Sequence, residues 1–429
     1  MGTRYQRAAW RRPLRALAAL LQAPLAYGLL LTLAACGGGG SGGASTAAPG
    51  TMATFPPSMA KLSDANVVPV MVQAGPGRNA NIPYVSVTVC QPLTNQCKTI
   101  DNVILDTGST GLRLFASQLQ AAPTLALPAH SAHGSSTVSE CAQFLTMVAW
   151  GQVHVADVVM GGERAPAVPV QLMEEDSTTL PAACGSAPMV ATTTTAHTQA
   201  LHANGILGVG LFSNDAQIYF DCTTPSAACL FVPDKSQQVQ NPVGFFPTDN
   251  NGIAIQLPAL PSQGVSVAQG YLIFGVGTQA NNQLGTASVV PVDPNSGYFT
   301  TTYRGVALPH SFIDSGSNGL FFNDPVVFTN GCGAGASGFY CPSAPQNLSA
   351  SLALDASSAS VAFTIDNASA LFAPGTNVAF NNLGGPISNT FFDWGLPFFF
   401  GRTVFTIMEG GQANTVGGIR AGPFYAFAN

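Results

Sequence analysis

The chain has 429 residues, of which only 8% are charged and 46% are hydrophobic, while Gly and Pro together number 77. Soluble domains average about 25% charge, so a charge-laced helical or coiled-coil protein is excluded, and the apolar content excludes a disordered one. Many turn-formers among β-branched and hydroxyl residues predict an all-β chain of short strands.

Taken in chain order, residues 1–35 hold Arg4, Arg7, Arg11, Arg12 and Arg15, no acid, and then an Ala/Leu-rich run. These are the n-region and h-region of an export signal. The run ends Leu33-Ala34-Ala35-Cys36, which resembles the bacterial lipobox and implies a lipid on Cys36. The following Gly/Ser tract, in residues 36–64, reads as a flexible tether. Gly37 stands where an Asp commonly retains such proteins in an inner membrane. An exported lipoprotein of the outer membrane, facing the periplasm or the cell surface, is therefore expected. The remaining residues carry nine basic and 20 acidic side chains. An acidic surface argues against nucleic acid and other anionic partners.

Leaving Cys36 aside, eight cysteines remain, an even number in a chain expected to be exported, so disulfides are expected. Of the 105 pairings that eight cysteines allow, short spacings favour Cys90–Cys97, Cys222–Cys229 and Cys332–Cys341, which leaves Cys141–Cys184. There is no C-x-x-C and the six histidines are scattered, so neither a metal nor another cofactor is expected.

An internal repeat carries the functional signal. Asp106-Thr107-Gly108-Ser109-Thr110-Gly111-Leu112 returns as Asp314-Ser315-Gly316-Ser317-Asn318-Gly319-Leu320, with five of seven positions identical. Each copy follows an apolar strand end, Val103-Ile104-Leu105 or Phe312-Ile313, and precedes another apolar stretch. Glycine lets the chain turn sharply, and the flanking hydroxyls can hold a carboxylate fixed. Two bulky residues and a glycine follow each copy, ending at Gly208 and at Gly395, 102 and 81 residues beyond the respective Asp. The order A–B–A–B predicts two related β-rich lobes, residues 65–255 and 256–429, each supplying one Asp.

This pattern resembles the pepsin-like aspartic peptidases, over about residues 65–429. The likeness extends to Gly270-Tyr271-Leu272-Ile273-Phe274-Gly275, Val289-Val290-Pro291-Val292, Tyr298-Phe299 and Thr403-Val404-Phe405-Thr406-Ile407. It implies a bilobal all-β fold of two barrel-like lobes with a cleft between them, and Asp106 and Asp314 as a catalytic pair. Thr107 and Ser315 would lock the loops together, with Gly108, Ser109, Gly316 and Ser317 bonding the carboxylates and Gly208 and Gly395 threading the loops. Extended peptide or unfolded protein is the implied substrate, and a monomer suffices because both halves lie in one chain. The family's flap usually carries a Tyr, whereas Ser139-Glu140-Cys141-Ala142-Gln143-Phe144 has none. Gln143 or Phe144 could cap the cleft instead, with Cys141 pinning the flap. Trp150-Gly151 to Gly161-Gly162 looks like the strand pair that follows it. The alternative function is a non-catalytic peptide- or protein-binding envelope lipoprotein on the same scaffold.

Overall fold

Val68, Val70 and Val72 alternate along the strand Val67–Gln73 and fall on one buried face, as a two-residue strand period requires. The computed structural model describes residues 60–120, 125–131, 136–144, 147–174, 180–185, 187–192, 198–222, 230–232, 234–324 and 332–429. The expected signal, Cys36 and most of the tether lie outside the described residues, as do Cys229 and the side chain of Cys222.

Val67–Gln73 pairs along its whole length with Val267–Phe274, which pairs in turn with Gly252–Gln256. Thr403–Ile407, Phe424–Ala428 and Ser288–Pro291 follow, every neighbour antiparallel. One sheet thus takes strands from both ends and the middle of the chain. The expected lobe boundary after residue 255 runs through the strand Gly252–Gln256, which belongs to this shared layer. The architecture is all-β, as expected: the described helices are one turn or little more.

On one side of the shared sheet, Pro83–Cys90 and Cys97–Asp106 form a hairpin closed by the disulfide Cys90–Cys97. Val148–Met160 is one strand of 13 residues, not a strand pair; Gly161-Gly162 turns it back onto Glu163–Met173. On the other side, Phe299–Tyr303 pairs with Val306–Ile313 and Gln346–Ala353 with Ser358–Ile365. This second half has an aromatic core in which Phe322 stacks on Phe392 at 5.0 Å and Phe392 on Trp394 at 4.3 Å. Cys332 and Cys341 are bonded in the same half.

The hairpin of Thr137–Gln143 and Val148–Met160 is pinned twice. Cys141 is bonded to Cys184, and its neighbour Glu140 is fully buried against Arg113. Arg113, 1% exposed, also pairs with Asp215 and donates to Thr110 O at 2.8 Å. Tyr219 lies opposite Glu140 across the strand pair; its hydroxyl donates to Asp215 Oδ1 at 2.7 Å and lies 3.1 Å from Glu140 Oε1. Burial pushes the Glu140 carboxyl well up, Arg113 opposing and Asp215 reinforcing the shift. Two acids thus share one guanidinium. Replacing Arg113 with Met leaves both acids buried without their cation, and losing one partner of a buried pair costs about 3–5 kcal/mol. Urea unfolding of Arg113→Met is expected to register a loss of that size; a change below about 1 kcal/mol would show that the cluster behaves as a surface pair.

Candidate active site

Each Asp loop is built by the same threading. The strand Gly205–Val209 runs parallel to Cys97–Asp106, with Gly208 opposite Asp106, and antiparallel to Thr110–Phe115. In the second half, Phe392–Trp394 runs parallel to Val306–Ile313 and antiparallel to Leu320–Phe322. The threaded strand passes so close to the turn that glycine is required at its end. A Cβ on Gly208 would come 2.6 Å from Thr110 N, and one on Gly395 2.2 Å from Gly319 O. Both distances lie below any ordinary contact.

The two loops interlock across the seam. Thr107 N donates to Ser315 Oγ at 3.1 Å, and Ser315 N to Thr107 Oγ1 at 2.9 Å. The same hydroxyls then donate onward, Thr107 Oγ1 to Ile313 O at 3.3 Å and Ser315 Oγ to Leu105 O at 2.8 Å. Both residues are buried. Four reciprocal bonds therefore tie the strand end before one Asp to the loop after the other.

Each carboxylate is held by its own loop. Gly108 N donates to Asp106 Oδ1 at 2.8 Å and Ser109 Oγ to Oδ2 at 2.5 Å. Gly316 N donates to Asp314 Oδ1 and Ser317 Oγ to Oδ2, both at 2.8 Å. The acids face one another. A Cβ on Gly108 would sit 2.6 Å from Asp314 Cγ, and one on Gly316 2.7 Å from Asp106 Oδ1. Only a glycine on each side leaves room for the opposing carboxyl.

The pair is not symmetric. Asp106 is partly exposed, whereas Asp314 is 5% exposed. Burial first, and Asp106 second, push the Asp314 carboxyl well above the usual range, against the bonds from Ser317 and Gly316. Two carboxyls in contact cannot both ionise cheaply, so they retain a proton between them, and the burial contrast favours its residence on Asp314. The arrangement can polarise and deprotonate a water on its open side while offering a hydrogen bond from the protonated member.

Gln143, one of the two side chains suggested as a cap, is bonded to its surroundings. Its Nε2 donates to Cys184 O at 2.8 Å and its backbone N–H to Gln217 Oε1 at 2.7 Å, which fastens it to the neighbouring loop. Phe144 packs against the apolar cluster that contains Ile82, Tyr84 and Phe115. A cavity of about 570 Å³ lies in the second half, lined by Leu260, Phe363, Asn382, Phe398 and Arg402 among others, with neither carboxyl of the pair in its lining. The sequence reading missed Arg113, Glu140, Asp215 and Asp393, although an Arg inside Gly111-Leu112-Arg113-Leu114-Phe115 is conspicuous in a chain with so few charges.

Among solved structures the chain is similar to an aspartic proteinase from Irpex lacteus, at 14% identity, over 85% of this chain and 96% of that one, with a TM-score of 0.46. No curated protein matches it. Residues 62–427 match the family described as "Protein of unknown function (DUF3443)". With nearly the whole described body inside that match, the chain belongs to the DUF3443 family.

Proposed function

We propose that this protein is an aspartic endopeptidase that hydrolyses extended peptides through water activated by Asp106 and Asp314. One observation carries the reading: two glycine-gated carboxyls lie face to face, each bonded by its own loop and both loops interlocked. A structural role for two acids in contact is hard to sustain, because their repulsion opposes folding.

In the working state the pair holds one proton. Asp106, the more exposed member, accepts a proton from the attacking water, and Asp314 donates a hydrogen bond to the substrate carbonyl as it becomes an oxyanion. The proton taken by Asp106 then passes to the leaving nitrogen as the C–N bond breaks. Gly108 and Gly316 N–H groups and the Ser109 and Ser317 hydroxyls keep the four carboxyl oxygens from rotating. Substrate bound as an added strand would present its scissile bond with little conformational freedom. By the sequence reading, the enzyme is tethered to a membrane through Cys36 and acts as a monomer on exported or unfolded protein, without metal or cofactor.

Because the Asp314 proton is held well above the usual carboxylate range, the singly protonated pair persists to higher pH than an ordinary acid with a pKa of about 4 would allow. Activity on unfolded protein is expected between pH 3 and 7, inhibitable by pepstatin, with its upper limb above the range in which an ordinary carboxyl titrates. Asp106→Asn and Asp314→Asn are each expected to lower kcat by about 10³-fold or more. Intact substrate across that range from a folded protein refutes the peptidase, and retained binding of extended peptides would then identify the binding module.

Ser315→Ala removes the acceptor of Thr107 N and the donor to Leu105 O, both buried. It is expected to lower stability by about 1–3 kcal/mol and kcat by about 10²-fold through displacement of the pair. Ser315→Thr, which keeps the hydroxyl, is expected to retain both. Equal kcat in the Ala and Thr variants would show that the interlock does not set the carboxyl geometry.

A further inference from the structure

Asp393 is a fully buried acid, and among the described residues neither of its carboxyl oxygens makes a hydrogen bond of ordinary geometry, the Ser317 hydroxyl being the polar side chain near enough to act on it. An ionised carboxylate in that condition is prohibitively costly. The fold does not demand an acid there. Asp393 faces Phe312 across the parallel pair, one step before Ile313 and Trp394. The corresponding place in the first half, opposite Ile104 and one step before Leu207, is held by the buried apolar Ile206.

The side chains on either side, Phe392 and Trp394, stack in the aromatic core. Strand alternation therefore turns Asp393 to the opposite face, toward the seam. Among the described residues, the titratable groups facing it are Asp314 and Asp106 from the two loops and Tyr425 from the final strand Phe424–Ala428, and none of these is a cation. Burial foremost, then Asp314, pushes its carboxyl well above the usual range. The polar side chain beside it is Ser317. Ser317 has one proton and gives it to Asp314 Oδ2 at 2.8 Å, which leaves its lone pairs to accept.

We propose that Asp393 is a positioning residue of the carboxyl pair: it is buried as the neutral acid and donates to the Ser317 hydroxyl, which commits that hydroxyl as a donor to Asp314 Oδ2. The purpose of this relay rests on the peptidase reading; its existence does not. A donor chain of this kind strengthens each member bond, and it holds Asp314 Oδ2 as an acceptor so that the pair's proton sits on the side facing Asp106. An ionised Asp393 would draw the Ser317 proton to itself and release Asp314.

Two measurements on the full chain test this without requiring activity. An acid whose folded pKa is raised is fully tolerated below its unfolded value, about 4, and costs stability as pH rises toward the folded value. Asp393→Asn, which cannot ionise, is therefore expected to gain about 2–4 °C in Tm relative to the parent at pH 7 over its difference at pH 4. An equal difference at both values would overturn the neutral acid. In the second measurement, ¹³C-carboxyl NMR follows the titration of Asp106 and Asp314. Asp393→Leu, which removes the donor, is expected to move the pair's upper titration up by about half a pH unit. The amide of Asp393→Asn is expected to restore the parent value. An unchanged titration in the Leu variant, or the same shift in both, would break the link to Ser317. Should Asp393→Leu fail to fold, the Asn variant decides: a shifted titration overturns the relay, and a parental one with the Tm gain supports it. If the parent cleaves nothing, the peptidase reading fails, while both measurements still decide the relay.

Discussion

Two carboxyl groups pressed together at the seam between the halves are the constraint around which this molecule is arranged. Their mutual repulsion and the burial of Asp314 oppose folding, so the surrounding chain must supply compensation at that point. It does so with four loop-to-carboxyl bonds and four reciprocal bonds between the loops. The missing side chains at Gly108 and Gly316 are part of the same arrangement, since any Cβ there would collide with the opposing acid. The shared six-stranded layer beneath the loops takes strands from both halves and fixes their relative position.

Around this seam the halves diverge in how they support their own loop. The first half places Ile206 behind its loop and anchors the strand after Asp106 through the buried Arg113. The second half surrounds its threaded strand with aromatic rings and turns one acid, Asp393, inward. Pseudo-symmetry of backbone therefore coexists with asymmetry of charge. Contact alone makes two identical carboxyls share one proton, and the difference in their surroundings sets which of them favours holding it.

The all-β architecture was legible in the sequence because composition and strand periodicity act locally. The Asp loops were legible because a turn that must hold a carboxyl needs the same glycine and hydroxyls each time, so the repeat survived in Asp106–Leu112 and Asp314–Leu320. Gly208 and Gly395 were readable for the same steric reason. Three of the expected cysteine pairings, Cys90–Cys97, Cys141–Cys184 and Cys332–Cys341, are bonded, and Cys222–Cys229 falls outside the described residues. The ion cluster was not legible. Arg113, Glu140 and Asp215 are separated by up to 102 residues and have no shared motif; the pairing of Thr137–Gln143 with Ile218–Cys222 sets Glu140 beside Tyr219, and the separate strand Thr110–Phe115 brings Arg113 to Glu140 and Asp215. Asp393 was hidden within the motif itself, since it occupies a position that the repeat fills with Ile in the first half.

The pinned hairpin raises the question of why a chain so poor in charge places a guanidinium and two acids in its interior. Stability alone does not require it, because a well-packed apolar set of the same volume is often as stable as a buried ion pair. Register offers the better account. A one-residue slip along Thr137–Gln143 would turn Glu140 to the opposite face, away from Arg113 and Tyr219, and leave charges buried without partners. An apolar side chain at residue 140 would tolerate such a slip at far smaller cost. The same slip would carry Cys141 away from Cys184 and Gln143 away from its three bonds to the neighbouring loops. Charge, disulfide and amide therefore select one alignment of the hairpin over its neighbours, which fixes its base relative to the strand that follows Asp106.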